Sequence, residues 1–218
     1  MKRLNSVNRR LAAAFTLLEI LIVVTIIGAL LAVALPAVTS LSKSSARKSA
    51  ISGLLGILEK ARSQAIQDGQ ATYVVFPDKT LTSPTDPSIP QRYCYRSYAI
   101  FEDDPVTPGT IKQITGWQSL PTGVSVRSGS LNYLAKTTSF PFTPLGGSTP
   151  QSFPFPSLKF NSTGQVDATS TPTATTGTIQ FGVFEGYVDS SGTEKNTSKT
   201  NFTESIELSR LTGRAKRM

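Results

Sequence analysis

The sequence has no histidine, a single cysteine (Cys94), two methionines and one tryptophan in 218 residues. Without histidine there is no imidazole acid–base catalysis and no serine–histidine triad. One cysteine rules out an intrachain disulfide, and the two shortages together remove the usual Cys/His zinc site. Charged residues make up only 17% of the chain against 39% hydrophobic ones. That balance describes a chain that folds, not a disordered one. Glu102, Asp103 and Asp104 form a local acidic cluster. No nucleophile–base pair accompanies it, so it reads as a solvated acidic loop. Cys94 lies in the alternating run YCYRSYAIF and reads as a small buried hydrophobe. No catalytic residue, no metal ligand and no cofactor is expected.

Acids are missing from the first 18 positions, where Lys2, Arg3, Arg9 and Arg10 stand. Without residues 1–14 the basic count falls from 22 to 18 against 14 acids, and the excess halves from +8 to +4. Half of the apparent basicity therefore belongs to a leader. The rest reads as a solvated surface.

After this leader comes the stretch AAAFTLLEILIVVTIIGALLAVALP, residues 12–36, apolar almost without a break over 15–35. About 20 such residues span a bilayer as a helix. The preceding Lys/Arg cluster keeps its own end cytoplasmic. A secretory signal peptide would have a shorter apolar region and no acid in it, although AVA at 32–34 resembles a cleavage site. A plain signal anchor accounts for the length but leaves Glu19 unexplained, because an acid near the hydrocarbon is unfavourable without a partner.

The stretch A-F-T-L-L-E at 14–19 resembles the processing site of type IV prepilins and type II secretion pseudopilins. The resemblance implies cleavage by a prepilin peptidase between Ala14 and Phe15, then methylation of the new Phe15 amine. Glycine usually precedes the cut; Ala14 departs from that pattern, although it too is small. Glu19 becomes the fifth mature residue, placed to pair with the amine of a neighbouring subunit, and in a low-dielectric setting such a pair sets register. Its position in the first helical turn also suits the macrodipole. Gly28 and Pro36 match the same class, in which a proline at this depth kinks the helix.

Helical periodicity continues beyond Pro36. Ile51, Leu54, Leu55, Leu58, Ala61, Ala65 and Ile66 recur at three- and four-residue intervals with polar residues between them. The pattern stops at Asp68-Gly69, where glycine caps helices. One helix is expected over 15–68, about 80 Å long at 1.5 Å per residue: an apolar assembly part, 15–35, and an amphipathic part, 36–68. The head, 69–218, reads as β. Strands are expected at 71–76, 93–101, 111–117 and 123–127, with a loop at 77–92. Strands and turns are expected over 157–166, 177–188 and 204–217. The proline-rich stretch 137–156 reads as a long surface loop, and no internal repeat stands out. The fold class is α+β: a pilin-like long helix followed by an antiparallel β head.

Within this class the chain resembles the H-type minor pseudopilins, the GspH/FimT family. The resemblance is carried by Ala61, Arg62, Ala65 and Ile66 at the helix end, by Phe160 with Gly164, and by Ile206, Leu208, Thr212, Gly213 and Arg214 near the C-terminus. It implies a structural subunit of a type II secretion or type IV pilus-like filament. The implied partners are the prepilin peptidase, other pilins or pseudopilins, the inner membrane and a secreted substrate. The implied location is the inner membrane, single-pass, with a cytoplasmic N-terminus, a periplasmic head and later incorporation into a filament. An alternative reading takes the basic C-terminus, Arg210, Arg214, Lys216 and Arg217, as a DNA-binding element of the FimT kind. Sequence-independent phosphate contact is the most it supports, because no aromatic residue is there to stack on bases. The plainer reading of those residues is a frayed, solvated terminus. A membrane-anchored or secreted protein of another role is the remaining alternative.

Overall fold

The computed structural model describes residues 16–78, 93–107, 109–142, 150–167, 177–189, 191–197 and 203–218; within the helix, the side chains of 33–42 lie outside the described set. The chain divides after Ser42 into two compact units. The helix α1, Leu17–Asp68, runs for 52 residues, close to the expected bounds. It stops where Gly69 takes a left-handed φ of 67°, a conformation glycine adopts without the Cβ penalty.

In the larger unit α1 is amphipathic. Ala50, Ile51, Leu54, Ile57, Leu58, Ala61 and Ala65 are buried. The stripe differs from the expected one at four places: Ala50 is buried as well and Leu55 is only half-buried. Ile57 is buried, whereas Ile66 remains 46% exposed because it lies beside the turn at Gly164 rather than under a sheet.

Two antiparallel sheets complete this unit. The first comprises β1 (Thr72–Val75), β2 (Ser97–Asp103), β3 (Ile111–Gln113), β4 (Gln118–Ser119) and β8 (Ser157–Phe160), in the order β3-β2-β1-β8 with β4 on β2. The second comprises β5 (Val124–Val126), β9 (Thr178–Val188), β10 (Glu194–Asn196), β11 (Thr203–Ser209) and β12 (Ala215–Arg217), in the order β10-β9-β11-β12 with β5 on β9. A single turn, α2 (Ser128–Leu131), follows β5. The expected loop at 77–92 lies largely outside the described residues.

Strand register assigns the faces of the first sheet. Thr72 stands opposite Glu102 and Phe160, and Val74 opposite Ile100 and Leu158. That face meets α1: a Cβ on Gly53 would come within 2.9 Å of the Tyr98 hydroxyl. The other face carries Tyr73 and Phe101, and what covers it corrects the sequence reading. The described residues of 137–156, which are 137–142 and 150–156, are not all surface loop. β6 (Phe140–Phe142) and β7 (Gln151–Phe153) pair as a hairpin, with Phe140 opposite Phe153. Phe140, Phe142 and Phe155 are buried to within 1% of full burial. The Phe140 ring lies 5.5 Å from Tyr73 and 5.2 Å from Phe101, and Phe142 lies 5.3 Å from Trp117. The motif S-F-P-F occurs twice, at 139–142 and 152–155. Each copy spaces its phenylalanines by two, the strand period that puts both on one face. The prolines are accommodated because this two-stranded ribbon is all edge.

Residues 93–96 also depart from a continuous strand. Tyr95 is left-handed, with φ of 60°, an unfavourable region for a bulky side chain. Its N–H donates to Pro77 O at 2.8 Å and its carbonyl accepts from Val126 N at 2.8 Å, so the bend joins the end of the first sheet to β5. Cys94 beside it is buried as expected, and burial, with Asp78 next, pushes its thiol up to about 12.

If the S-F-P-F hairpin is core, Phe140→Ala destabilises the chain by about 3–5 kcal/mol. Ser152→Ala, on the same hairpin but exposed, stays within about 0.5 kcal/mol. Urea unfolding of the full chain in detergent checks both.

Candidate functional site

The N-terminal half of α1 begins with a cap. The Thr16 hydroxyl accepts the Glu19 N–H at 3.2 Å, and the Thr16 carbonyl accepts the Ile20 N–H at 3.3 Å. Thr-x-x-Glu ahead of an apolar run is the sequence form of a capping box, a signal the sequence reading passed over. Glu19 is exposed in the first turn. Beyond it every residue through 32 is exposed, including Leu17 at 85% and Leu30 at 66%. The helix has no polar face to turn outward, so this surface requires lipid or other helices around it. Thr25 keeps its hydroxyl satisfied on the Leu21 carbonyl at 2.7 Å, which removes a polar liability from an apolar surface.

Ala14 and Phe15 lie outside the described residues. Pro36 lies within α1, whose helical assignment runs through it without a break. Among the described residues no helix is long and apolar enough to cross a membrane; the side chains described in the apolar run end at Ala32.

At the far end of α1 the three stretches that carried the H-type resemblance meet. The Arg62 Nε–H donates to the Thr212 carbonyl at 2.7 Å, and its Nη1 lies 3.0 Å from Glu59 Oε1. Gly164, with φ of 78°, lies under Ile66 and Arg62. Gly213, with φ of 64°, packs on Gly164 so closely that a Cβ there would collide with the Gly164 carbonyl oxygen. The Val166 N–H donates to the Arg210 carbonyl at 2.9 Å and ties the β8 turn to the β11–β12 turn. Residues separated by 150 positions thus form one junction.

The basic terminus is ordered, contrary to the frayed tail expected. β12 pairs with β11, with Lys216 opposite Glu207. Lys216 Nζ lies 3.0 Å from Glu207 Oε2, and Arg217 Nη2 lies 3.0 Å from Glu204 Oε2. Acids on one strand therefore match two of the four cations. Arg214 is exposed and Arg210 half-buried in the turn between the strands. The quartet is no continuous patch of unmatched charge, and no observation favours the DNA-binding reading.

The acidic cluster does not behave as one loop either. Glu102 and Asp103 belong to β2, and Glu102 is only 7% exposed. Burial, and next the Asp68 carboxyl it meets at the end of α1, raise the Glu102 pKa. Asp104 is exposed and accepts from the Val106 N–H at 2.9 Å, a bond that holds its pKa down. Tyr73 donates to Asp103 at 3.3 Å and its pKa is raised, chiefly by burial. Tyr73, Asp103 and Asp104, with Gln70 and Ile111, line an open cleft of about 500 Å³ that does not include Glu102. Among the described residues no group of three His, Cys, Asp or Glu side chains could hold a metal ion.

Gly213→Ala costs at least about 2 kcal/mol by strain and collision together, read by urea unfolding. A carboxyl whose folded pKa lies above its unfolded value adds stability that is full at low pH and is lost as pH rises through the folded value. Glu102 is such a group, so Glu102→Gln removes that slope. The variant is the more stable of the two above neutrality and the advantage vanishes towards pH 4, as thermal unfolding across that range will show.

A search of curated proteins gave no match to the sequence. Among solved structures the chain is similar to the type IV minor pilin FimU of Pseudomonas aeruginosa, at 12% identity and a TM-score of 0.41, over 81% of this chain and 90% of that one. It is also similar to the minor pseudopilin EpsH of the Vibrio cholerae type 2 secretion system, at 14% identity and a TM-score of 0.37, over 81% of this chain and 95% of that one. The sequence profile of the family described as type II transport protein GspH matches residues 50–200. That stretch holds most of the buried helix stripe, both sheets in large part and the Gly164 side of the junction, and by it the chain belongs to the GspH family.

Proposed function

We propose that the protein is a minor pseudopilin-like structural subunit of a type II secretion or type IV pilus-like filament, not an enzyme. The observation that carries the reading is the first half of α1: capped, apolar on all sides and exposed on all sides over 17–31, in a chain whose head belongs to the GspH family. A helix of that kind is stable only when covered. In the precursor the cover is the inner membrane, entered as a single pass with the Lys/Arg leader left in the cytoplasm. After a prepilin peptidase cuts between Ala14 and Phe15, the cover is the helices of other pilins or pseudopilins. The family supports a place in a filament of the cell envelope; the periplasmic head then meets neighbouring subunits or a secreted substrate.

Glu19 is the assembly residue in this proposal. Its carboxylate takes the Phe15 amine, methylated after cleavage, of an adjacent subunit, and Pro36 bends the helix between its apolar and amphipathic parts. The pairing has value because both charges leave water together; one of them alone in a filament core is costly.

Glu19→Ala tests it in cells. The variant is expected to enter the membrane fraction at wild-type level. Cross-linking into filaments, or secretion supported by the system, is expected to fall on the order of tenfold. Wild-type incorporation of the variant would remove Glu19 from assembly. Mass spectrometry of the mature N-terminus checks the processing step, and a terminus other than methylated Phe15 would move the cleavage site.

A further inference from the structure

The sequence around the proposed cut favours a helix that would include it. Residues 9–15 read R-R-L-A-A-A-F. Alanine heads the scale of helix formers, with leucine and arginine close behind. No glycine or proline occurs before Gly28. Lengthening an existing helix adds one hydrogen bond per residue and needs no new nucleus. Extended backwards from Leu17, past Thr16, α1 would meet no residue of a good capping type until Asn8.

Yet α1 begins at Leu17, two residues beyond the 14–15 bond. Thr16 accounts for that start. Its hydroxyl accepts the Glu19 N–H at 3.2 Å, and its carbonyl accepts the Ile20 N–H at 3.3 Å. These are the two bonds of an N-cap residue, whose own backbone is not helical and so ends the helix. The position of the cap matters for processing. A peptide bond inside a helix has its carbonyl and N–H engaged with residues four positions away. A peptidase reaches such a bond only in the fraction of molecules in which the helix has opened there, and the apparent rate falls with that fraction.

We propose that Thr16 is a positioning residue for processing: its cap holds the start of α1 beyond the 14–15 bond and so leaves that bond open to the prepilin peptidase. Thr16 acts through the helix start, not by touching the reacting atoms. The proposal rests on the cleavage reading given above and adds to it the residue that governs how fast the precursor is cut. Loss of a threonine cap shifts the balance between the two helix starts about fivefold.

The test is pulse-chase labelling of the full chain in cells that contain a prepilin peptidase, with precursor and mature forms separated by the loss of residues 1–14. Membrane insertion is measured in the same samples. Thr16→Ala is expected to insert normally and to be cut about two- to fivefold more slowly. Thr16→Ser and Thr16→Asn keep a capping side chain and are expected to be cut at about the wild-type rate. Adding Ala12→Gly to Thr16→Ala weakens the backward helix without restoring the hydroxyl, and is expected to recover most of the lost rate. Equal rates for Thr16→Ala and wild type would overturn the proposal and leave the cleavage reading intact. Rescue by serine alone, with none by asparagine or by Ala12→Gly, would mean that the peptidase reads the hydroxyl directly, and would overturn it too. A wild-type mature terminus other than Phe15 would remove the cleavage reading itself, and this proposal with it.

Discussion

The head depends on one stripe of α1. Ala50, Leu54, Ile57, Leu58, Ala61 and Ala65 are at most 4% exposed, and they belong to the same hydrophobic cluster as residues of both sheets. Burying a leucine or isoleucine is worth about 1.5–3 kcal/mol, but the alanines matter for another reason. Ala61 and Ala65 reach 0% exposure because their short side chains let neighbouring elements come close, as Gly53 does for the Tyr98 hydroxyl. Polar ties then fix rotation and height. Arg47 Nε lies 3.2 Å from Glu185 Oε1 on β9. Fifteen residues further on, Arg62 holds the Thr212 carbonyl. A hydrophobic stripe alone permits sliding; two directional contacts, about four turns apart, do not.

The two halves of α1 solve opposite problems with the same backbone. Over 43–68 polar residues alternate with apolar ones, so the helix has a dry face and a wet face. Over 17–32 it has no wet face, and the side chains described there are exposed. The polar groups that do occur in that half are handled locally: Thr16 caps, Thr25 bonds back to Leu21, and Glu19 stands in the turn where the helix favours a negative charge. The segment therefore carries little that would resist transfer from lipid to a neighbouring helix, since both are apolar surroundings.

Much of this was legible in the sequence where one physical rule acted alone. The helix end at Asp68-Gly69 and the strand at 71–76 follow from periodicity and from glycine at a position of positive φ. Where two rules compete, the sequence misleads. Proline density argued for a loop at 137–156, but the period-2 spacing of Phe140, Phe142, Phe153 and Phe155 prevailed, because a face of the first sheet needed aromatic cover. Alternation argued for a strand through 93–96, but Tyr95 bends there to join Pro77 to Val126. Glu102 looked like surface, because nothing in the local sequence reveals that α1 ends beside it. The basic tail looked loose because Glu204 and Glu207, which order it, lie a hairpin away. The H-type motifs could be seen only as separate fragments; that they form one junction is a fact of tertiary contact between Arg62, Gly164 and Gly213.

The capped start of α1 also bears on what an assembly contact at Glu19 contributes. A carboxylate at the third helical position is already favoured by its own helix, by about 0.3–1 kcal/mol near water and more where the surroundings are dry. Thr16 sets where that helix begins, and so fixes Glu19 at the third position. An isolated subunit can then hold the acid near the membrane surface without a partner. A neighbour's amine has less distress to relieve than a naked charge would present, and its gain over the many apolar contacts along the helix is modest in energy. Its gain in specificity is large. Apolar helices slide past one another with little change in contact, whereas an amine one turn out of place leaves two charges unpaired in a low dielectric, at a cost of several kcal/mol. In the proposed filament the apolar face therefore supplies the cohesion, and Glu19 selects a single register among many that are nearly as well packed.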